Sequence, residues 1–170
     1  AIGNARLFEL EQQGREEAEN LRLAASAVTS SLDPQLVLET ILTALKQVVP
    51  FDSGSIFLLE GDQVRITAAH GLPNQAQAMN QTFPATNKLL AAIEANQNQP
   101  VILYDAQVDS RFERWATADS VRGWMGVSLV TRGEVVGYIT LDSYEVGTFD
   151  EKSAALARTF AYQAAAAIDN

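Results

Sequence analysis

The chain has 170 residues, 47% of them hydrophobic, and a formal net charge of −9. This length suits one domain with an extension. The acidity disfavours nucleic acid and anionic membrane surfaces as partners, because both attract clustered Lys and Arg. No apolar run approaches the roughly 20 residues of a membrane span. The chain begins at Ala1 without an initiator Met or a signal-peptide pattern, so we expect a cytoplasmic piece of a longer protein.

Cysteine and histidine usage limits the chemistry. Without Cys, the chain has no disulfide, thiolate nucleophile, Cys-ligated zinc or thioether-linked chromophore. His70 is the single histidine, which excludes a multi-His centre. No motif supplies a nucleophile for it, so we expect a structural or exposed role, or a place at a pocket mouth. Asp105 and Asp109 lack the spacing of a calcium loop and are expected in caps and turns.

Residues from about 5 to 31 read as one long helix with few breakers. Its apolar positions alternate three and four apart, which is a weak heptad pattern spoiled by Gly14 and Glu17. Such a helix either docks on its own domain or pairs with its copy in a homodimer. The positions that form this seam are Leu7, Leu10, Gly14, Glu17, Leu21, Ala24, Val28 and Ser31.

Cap and turn residues divide the rest of the chain. Asp33-Pro34 predicts a helix start, and residues 148–151, Thr-Phe-Asp-Glu, read as a capping box that opens a final helix. This order predicts an α+β domain in which a central antiparallel sheet of five or six strands lies between terminal long helices and short pocket-side helices. The expected strands are 55–60, 63–70, 100–104, 125–131 and 135–143, and a short helix should follow Thr86 or Asn87.

Alternation along residues 136–142 indicates the candidate ligand site. Tyr138, Thr140 and Asp142 share one face, and half-buried polar groups among apolar ones orient a small ligand. A partly solvated face has the same pattern. Trp115 and Trp124 either close the pocket or belong to the core. The candidate ligand-binding residues are Ser55, Phe57, Trp124, Ser128, Tyr138, Thr140 and Asp142.

Four stretches in order resemble a GAF domain. Residues 122–143 are similar to the family's second hairpin, and residues 149–170 to its closing helix. Asp33-Pro34 with the helix after it, and residues 51–55, are similar to its opening. The resemblance implies a regulatory binding and dimerisation module rather than an enzyme, with a linker or signalling helix over residues 1–30 and a GAF-like sensory domain over residues 31–170.

The two ends of the chain also resemble each other. Residues 1–4, Ala-Ile-Gly-Asn, match residues 167–170, Ala-Ile-Asp-Asn, at three of four positions. Taken alone, so short a match is what chance produces. Together with the family resemblance, it is better interpreted as the end of a preceding repeat in a tandem GAF array. Such arrays are typical of bacterial sensor histidine kinases and cyclic-dinucleotide enzymes.

The resemblance also implies which ligands to weigh. Covalent bilin photoreceptors and free-methionine sulfoxide reductases of this fold need a Cys, which is absent here. Cyclic-nucleotide-binding members carry an Asn-Lys pair after the last strand, where this chain has Asp142-Ser143, although Phe149 and Asp150 match their downstream pair. A cyclic nucleotide is therefore the alternative to an unidentified small-molecule ligand.

The heptad pattern predicts a homodimer built from the terminal helices, because isolated helices are marginal in water. Changing Leu21→Glu and Val28→Glu together should dissociate the dimer while the domain stays folded. Sedimentation equilibrium, with circular dichroism as the control for folding, checks this. A wild-type chain that sediments as a monomer at high concentration would defeat the prediction.

Overall fold

The structure is a computed structural model that describes residues 33–113 and 120–169. The helix expected over residues 5–31 and Trp115 lie outside these ranges. The helices are α1 (Pro34–Val48), α2 (Gln75–Ala78), α3 (Lys88–Ala95) and α4 (Glu151–Asp169). The strands are β1 (Ser53–Glu60), β2 (Gln63–His70), β3 (Thr82–Pro84), β4 (Val101–Leu103), β5 (Gly123–Thr131) and β6 (Glu134–Ser143). A 3₁₀ turn, Ala106–Val108, follows β4.

Within the described residues, the six strands form one sheet in the order β3-β2-β1-β6-β5-β4. Every neighbouring pair is antiparallel. The predicted antiparallel α+β fold is therefore confirmed. The central pair, β1 with β6, joins the first third of the domain to its last third. Two hairpins, β1-β2 and β5-β6, supply the remaining long strands.

The long helices α1 and α4 pack together against one face of the sheet. Their shared core contains the fully buried Phe160 of α4 and the inward row of α1, together with Ile139 and Leu141 of β6. Small Ala residues on α4 let it lie close to the sheet. Leu36 points away from this core and is 53% exposed. The inward row of α1 is instead Val37, Leu38, Ile41, Leu42 and Leu45.

The short helices cover the other face of the sheet. There Leu89, Leu90 and Ile93 of α3 form a second apolar cluster with Trp124 and Tyr138. The helix begins where Asn87 caps it, since the Asn87 side chain accepts a hydrogen bond from the Leu89 amide at 2.7 Å. No helix in the described ranges is long and apolar enough to span a bilayer.

The start of α4 differs from the predicted capping box. Asp150 is the capping residue, because its carboxylate accepts hydrogen bonds from the backbone N–H of Ser153 at 2.8 Å and from the Ser153 hydroxyl at 3.0 Å. These hydrogen bonds lower the pKa of the Asp150 carboxyl. Thr148 instead lies 2.6 Å from the hydroxyl of Ser143 at the end of β6. The predicted cap residue Thr148 is thus engaged with Ser143, and Asp150 caps the helix in its place.

Asp150→Ala should lower the free energy of unfolding by about 1 kcal/mol, because it leaves helix-terminal N–H groups without a partner. Glu151→Ala is the matched control. It should cost only about a few tenths of a kcal/mol, whereas a Thr148 capping box would make Glu151 the more important carboxylate. Urea denaturation of both variants at neutral pH distinguishes the two arrangements.

Candidate functional site

A cavity of about 420 Å³ lies on the short-helix face of the sheet. Strands β1, β2, β5 and β6 form its floor. Residues 72–84, which include α2, and the beginning of α3 form walls. Phe112, Glu113, Val121 and Tyr144 complete the described lining. A volume of this size holds a small organic molecule.

The register between β1 and β6 places polar residues side by side on the floor of the cavity. Ser53 pairs with Asp142, and Ser55 pairs with Thr140. Because alternate residues of a strand face the same side, all four side chains point to the cavity. Ser53 and Ser55 are buried. The floor therefore offers three hydroxyls and one carboxyl within an otherwise apolar surface.

Asp142 carries the strongest electrostatic feature of the site. Asp142 is half-buried and lines the cavity. Burial raises the pKa of the Asp142 carboxyl to about 6, although a hydrogen bond donated by the Ser53 hydroxyl at 3.1 Å acts in the opposite direction. At pH 7 this carboxyl is mostly ionised, so the floor presents a hydrogen-bond acceptor with negative charge.

Aromatic rings form part of the apolar lining. Trp124 is 4% exposed and lies along β5 over Gly126. A Cβ at Gly126 would stand 2.2 Å from the Trp124 ring and 2.9 Å from Ile93. A glycine at this position therefore leaves room for the indole. Phe57 and Phe83 meet edge to face with ring centroids 6.3 Å apart. Flat rings beside a carboxyl suit a ligand that has an apolar part and a polar end.

The structure separates the predicted site residues into two groups. Five of them line the cavity, namely Ser55, Phe57, Trp124, Thr140 and Asp142. Ser128 and Tyr138 lie outside the lining, and we correct their assignment. The Ser128 hydroxyl donates to the carbonyl of Asn98 at 3.2 Å. Tyr138 is buried in the apolar cluster beneath α3, where desolvation and the charge of Glu94 raise the pKa of its phenol.

The wall formed by residues 72–84 was missed by the sequence analysis. It contributes the amides Asn74, Gln77 and Gln81 and the ring of Phe83. Asn74, at the start of α2, has a left-handed backbone with φ of 53°, which Asn tolerates better than most residues. That preference was the available signal, but α2 has only four residues and carries no periodic pattern.

The other residues considered for chemistry have structural roles. Asp105 and Asp109 accept hydrogen bonds from the backbone N–H of Gln107 and Arg111 at 3.1 and 2.9 Å, as expected of caps and turns. His70 is half-buried, and its ring meets Phe51 edge-on at 6.0 Å. Over residues 33–113 and 120–169, no group of three His, Asp or Glu side chains is placed to hold a metal ion.

The comparisons with known proteins agree on the fold. A family model described as GAF domain matches residues 33–168. The GAF domain of a phosphoenolpyruvate-protein phosphotransferase (ptsP) from Coxiella burnetii superposes with a TM-score of 0.80 at 21% identity, covering 91% of this chain and 94% of that chain. No curated protein matches the chain significantly.

Two further solved structures have small molecules bound. The phycoerythrobilin-bound GAF domain of a cyanobacterial phytochrome has a TM-score of 0.75 and 16% identity, covering 89% of this chain and 94% of that chain. A free methionine-R-sulfoxide reductase from Neisseria meningitidis, in complex with its substrate, has a TM-score of 0.70 and 19% identity, covering 90% of each chain. At these identities the likeness shows the fold alone.

Asp142→Asn should stabilise the protein at pH 7.5 and lose that advantage near pH 4. The raised pKa means that the folded state favours the protonated carboxyl. The wild type therefore loses stability as pH rises from the ordinary value of 3.8 through about 6. We expect a gain of about 2 kcal/mol at pH 7.5, less than the full shift implies because the carboxyl faces the cavity.

Urea denaturation at both pH values measures this difference. Asp62→Asn, which removes an exposed charge in the β1-β2 turn, is the matched control and should change little at either pH. An Asp142→Asn variant that is no more stable than the wild type at pH 7.5 would show that the floor tolerates the charge without cost.

Proposed function

Because the chain belongs to the GAF domain family, a family of regulatory sensing modules, we propose that it senses a small molecule within a multidomain signal-transduction protein and transmits the signal through its terminal helices. One observation carries the proposal. The 420 Å³ cavity has a polar floor on β1 and β6, and the opposite side of the same strands packs on the long helices. A ligand and the output helices would therefore contact the same two strands.

The coupling route is short. Thr140 and Asp142 face the cavity, whereas their neighbour Leu141 belongs to the core shared with α1 and α4. Ser143, the last residue of β6, pairs its hydroxyl with Thr148 at 2.6 Å, and α4 begins three residues later. A ligand that pulls or pushes on the floor would shift the start of α4 through these contacts. Signal transfer by small shifts of packed helices is an established device.

Homodimerisation through the terminal helices is part of the proposal. The outward side of α4 carries the exposed Tyr162, and α1 exposes Leu36. These apolar side chains on neighbouring helices support a helix-mediated contact between two copies. The parent protein would then be a sensor of the histidine-kinase or cyclic-dinucleotide-enzyme type.

The alternative, cyclic-nucleotide binding, finds less support. A phosphate would need a cationic partner, and the described residues that line the cavity include no Lys or Arg. Phe149 is buried in the helix-side core and Asp150 caps α4, so neither reaches the cavity. Thiol-dependent reduction is excluded for a chain without Cys. We therefore propose a binding module that is not itself an enzyme.

A panel of small metabolites tests the sensing function. At least one compound, at about a hundredfold excess over its Kd, should raise the Tm of the wild type by about 5 °C or more, because it binds the folded state alone. Thr140→Phe places a ring on the cavity floor and should abolish that shift. Thr131→Phe is the matched control, since Thr131 pairs with Glu134 beside the β5-β6 turn and lies outside the cavity lining.

Hydrogen exchange then tests transmission. The compound that binds should change amide exchange in α1 and α4 as well as in β1 and β6 of the wild type. A panel in which no compound shifts the Tm, or in which Thr140→Phe responds like the wild type, would contradict sensing through this cavity. Exchange confined to the cavity walls would contradict the route through the helices.

A further inference from the structure

The charged side chains that line the cavity within the described residues are both acidic. Asp142 lies on the floor and Glu113 lies on a wall, and no Lys or Arg side chain contributes to the described lining. Asp52, in the turn before β1, lies beside the floor, because its backbone N–H donates to the Asp142 carbonyl at 2.8 Å. A site with this composition attracts cations and repels anions.

The Asp142 carboxylate also keeps hydrogen-bonding capacity for a ligand. Among the described residues, the Ser53 hydroxyl is the one donor to it, on oxygen Oδ2. The Asp52 carboxylate is engaged elsewhere, where it accepts from the Tyr144 amide at 2.8 Å. An ionised carboxylate has about four acceptor sites, so Oδ1 has no described donor and Oδ2 keeps further acceptor capacity.

The aromatic and amide side chains of the lining suit the rest of such a ligand. The rings of Trp124, Phe57, Phe83 and Phe112 line the cavity. Aromatic faces attract organic cations and also cover the apolar part of a ligand. The amides of Asn74, Gln77 and Gln81 add polar groups without charge on the remaining wall. The acceptor therefore stands among aromatic rings, since Trp124 pairs with Asp142 across β5 and β6.

We propose that the cavity binds a small organic cation, of the amidine, guanidine or amine class, whose N–H groups donate to the Asp142 carboxylate while its apolar part lies among Trp124, Phe57 and Phe83. This inference rests on the proposed sensing function and adds the ligand class to it. A planar amidine or guanidine presents two parallel N–H donors, which match the two carboxylate oxygens. A carboxylate or phosphate ligand would instead approach Asp142 with like charge.

Three nearly isosteric probes separate charge from shape. Benzamidine is a cation at neutral pH, benzamide is neutral and benzoate is an anion, and each fits within 420 Å³. Two-dimensional NMR of the full chain follows the indole N–H signal of Trp124. The chain has two tryptophans, so a Trp115→Phe variant assigns the signals. Benzamidine should bind at least about tenfold more tightly than benzamide, and benzoate should not bind.

Variants identify the partner of the cation. Asp142→Asn keeps the shape of the floor and should remove the preference for benzamidine over benzamide. Asp62→Asn makes the same charge change at an exposed turn and should keep that preference. Wild-type affinity for benzamidine should fall about tenfold from pH 7 to pH 5, because the ionised fraction of a carboxyl with pKa about 6 falls by that factor.

Within the described residues, Glu113 and Tyr144 are the other titratable side chains that line the cavity, and the Asp52 carboxylate accepts from the Tyr144 amide. Glu113→Gln should keep the pH response, whereas Asp142→Asn should lose it. Three results would overturn the cationic ligand class: equal binding of the three probes, tighter binding of benzoate, or no change of the Trp124 signal with any probe. The sensing function fails separately, when no metabolite in the panel shifts the Tm of the wild type.

Discussion

The pairing of β1 with β6 is the constraint on which the rest of the structure depends. It brings together residues 89 positions apart in the chain, Ser53 and Asp142, and sets them side by side on the cavity floor. A slip of one residue would turn every side chain of one strand to the opposite face. Two glycines help to hold the register. A Cβ at Gly137 would lie 2.1 Å from the Phe57 carbonyl oxygen, and one at Gly54 would lie 2.9 Å from Leu141.

The same pairing places Asp142 where ionisation of its carboxyl is unfavourable. Asp142 stands where desolvation opposes its ionised form, and a neutral hydroxyl is its one described donor. Residues chosen for stability alone would leave an apolar or amide side chain at this position. Natural proteins accept such local costs chiefly at functional sites. The position of the charge thus argues for a ligand that supplies the missing hydrogen bonds.

Much of the fold follows from local sequence signals. The strand at residues 63–70 has the predicted bounds, and Asp33 and Asn87 cap helices where expected. The face of β6 that holds Thr140 and Asp142 also follows from alternation. Alternation indicates which face of the sheet a side chain lies on, but not which other element covers that side chain. Tyr138 shares that face and is covered by α3, because the cavity ends before its position. The wall at residues 72–84 depends on tertiary contacts that leave no periodic trace.

The sheet has two different surfaces, and this difference shapes how a signal could cross it. On the cavity side, a space of about 420 Å³ lies over the polar side chains of β1 and β6. On the helix side, Phe160 and the Ala residues of α4 pack against β5 and β6 in the shared core. Close-packed interiors transmit displacement rather than absorb it. If a ligand on Asp142 displaced β6, the displacement would therefore be transmitted to α4 more directly than to the loops around the cavity. The Ser143–Thr148 hydrogen bond adds a polar contact between the end of β6 and the segment that leads into α4.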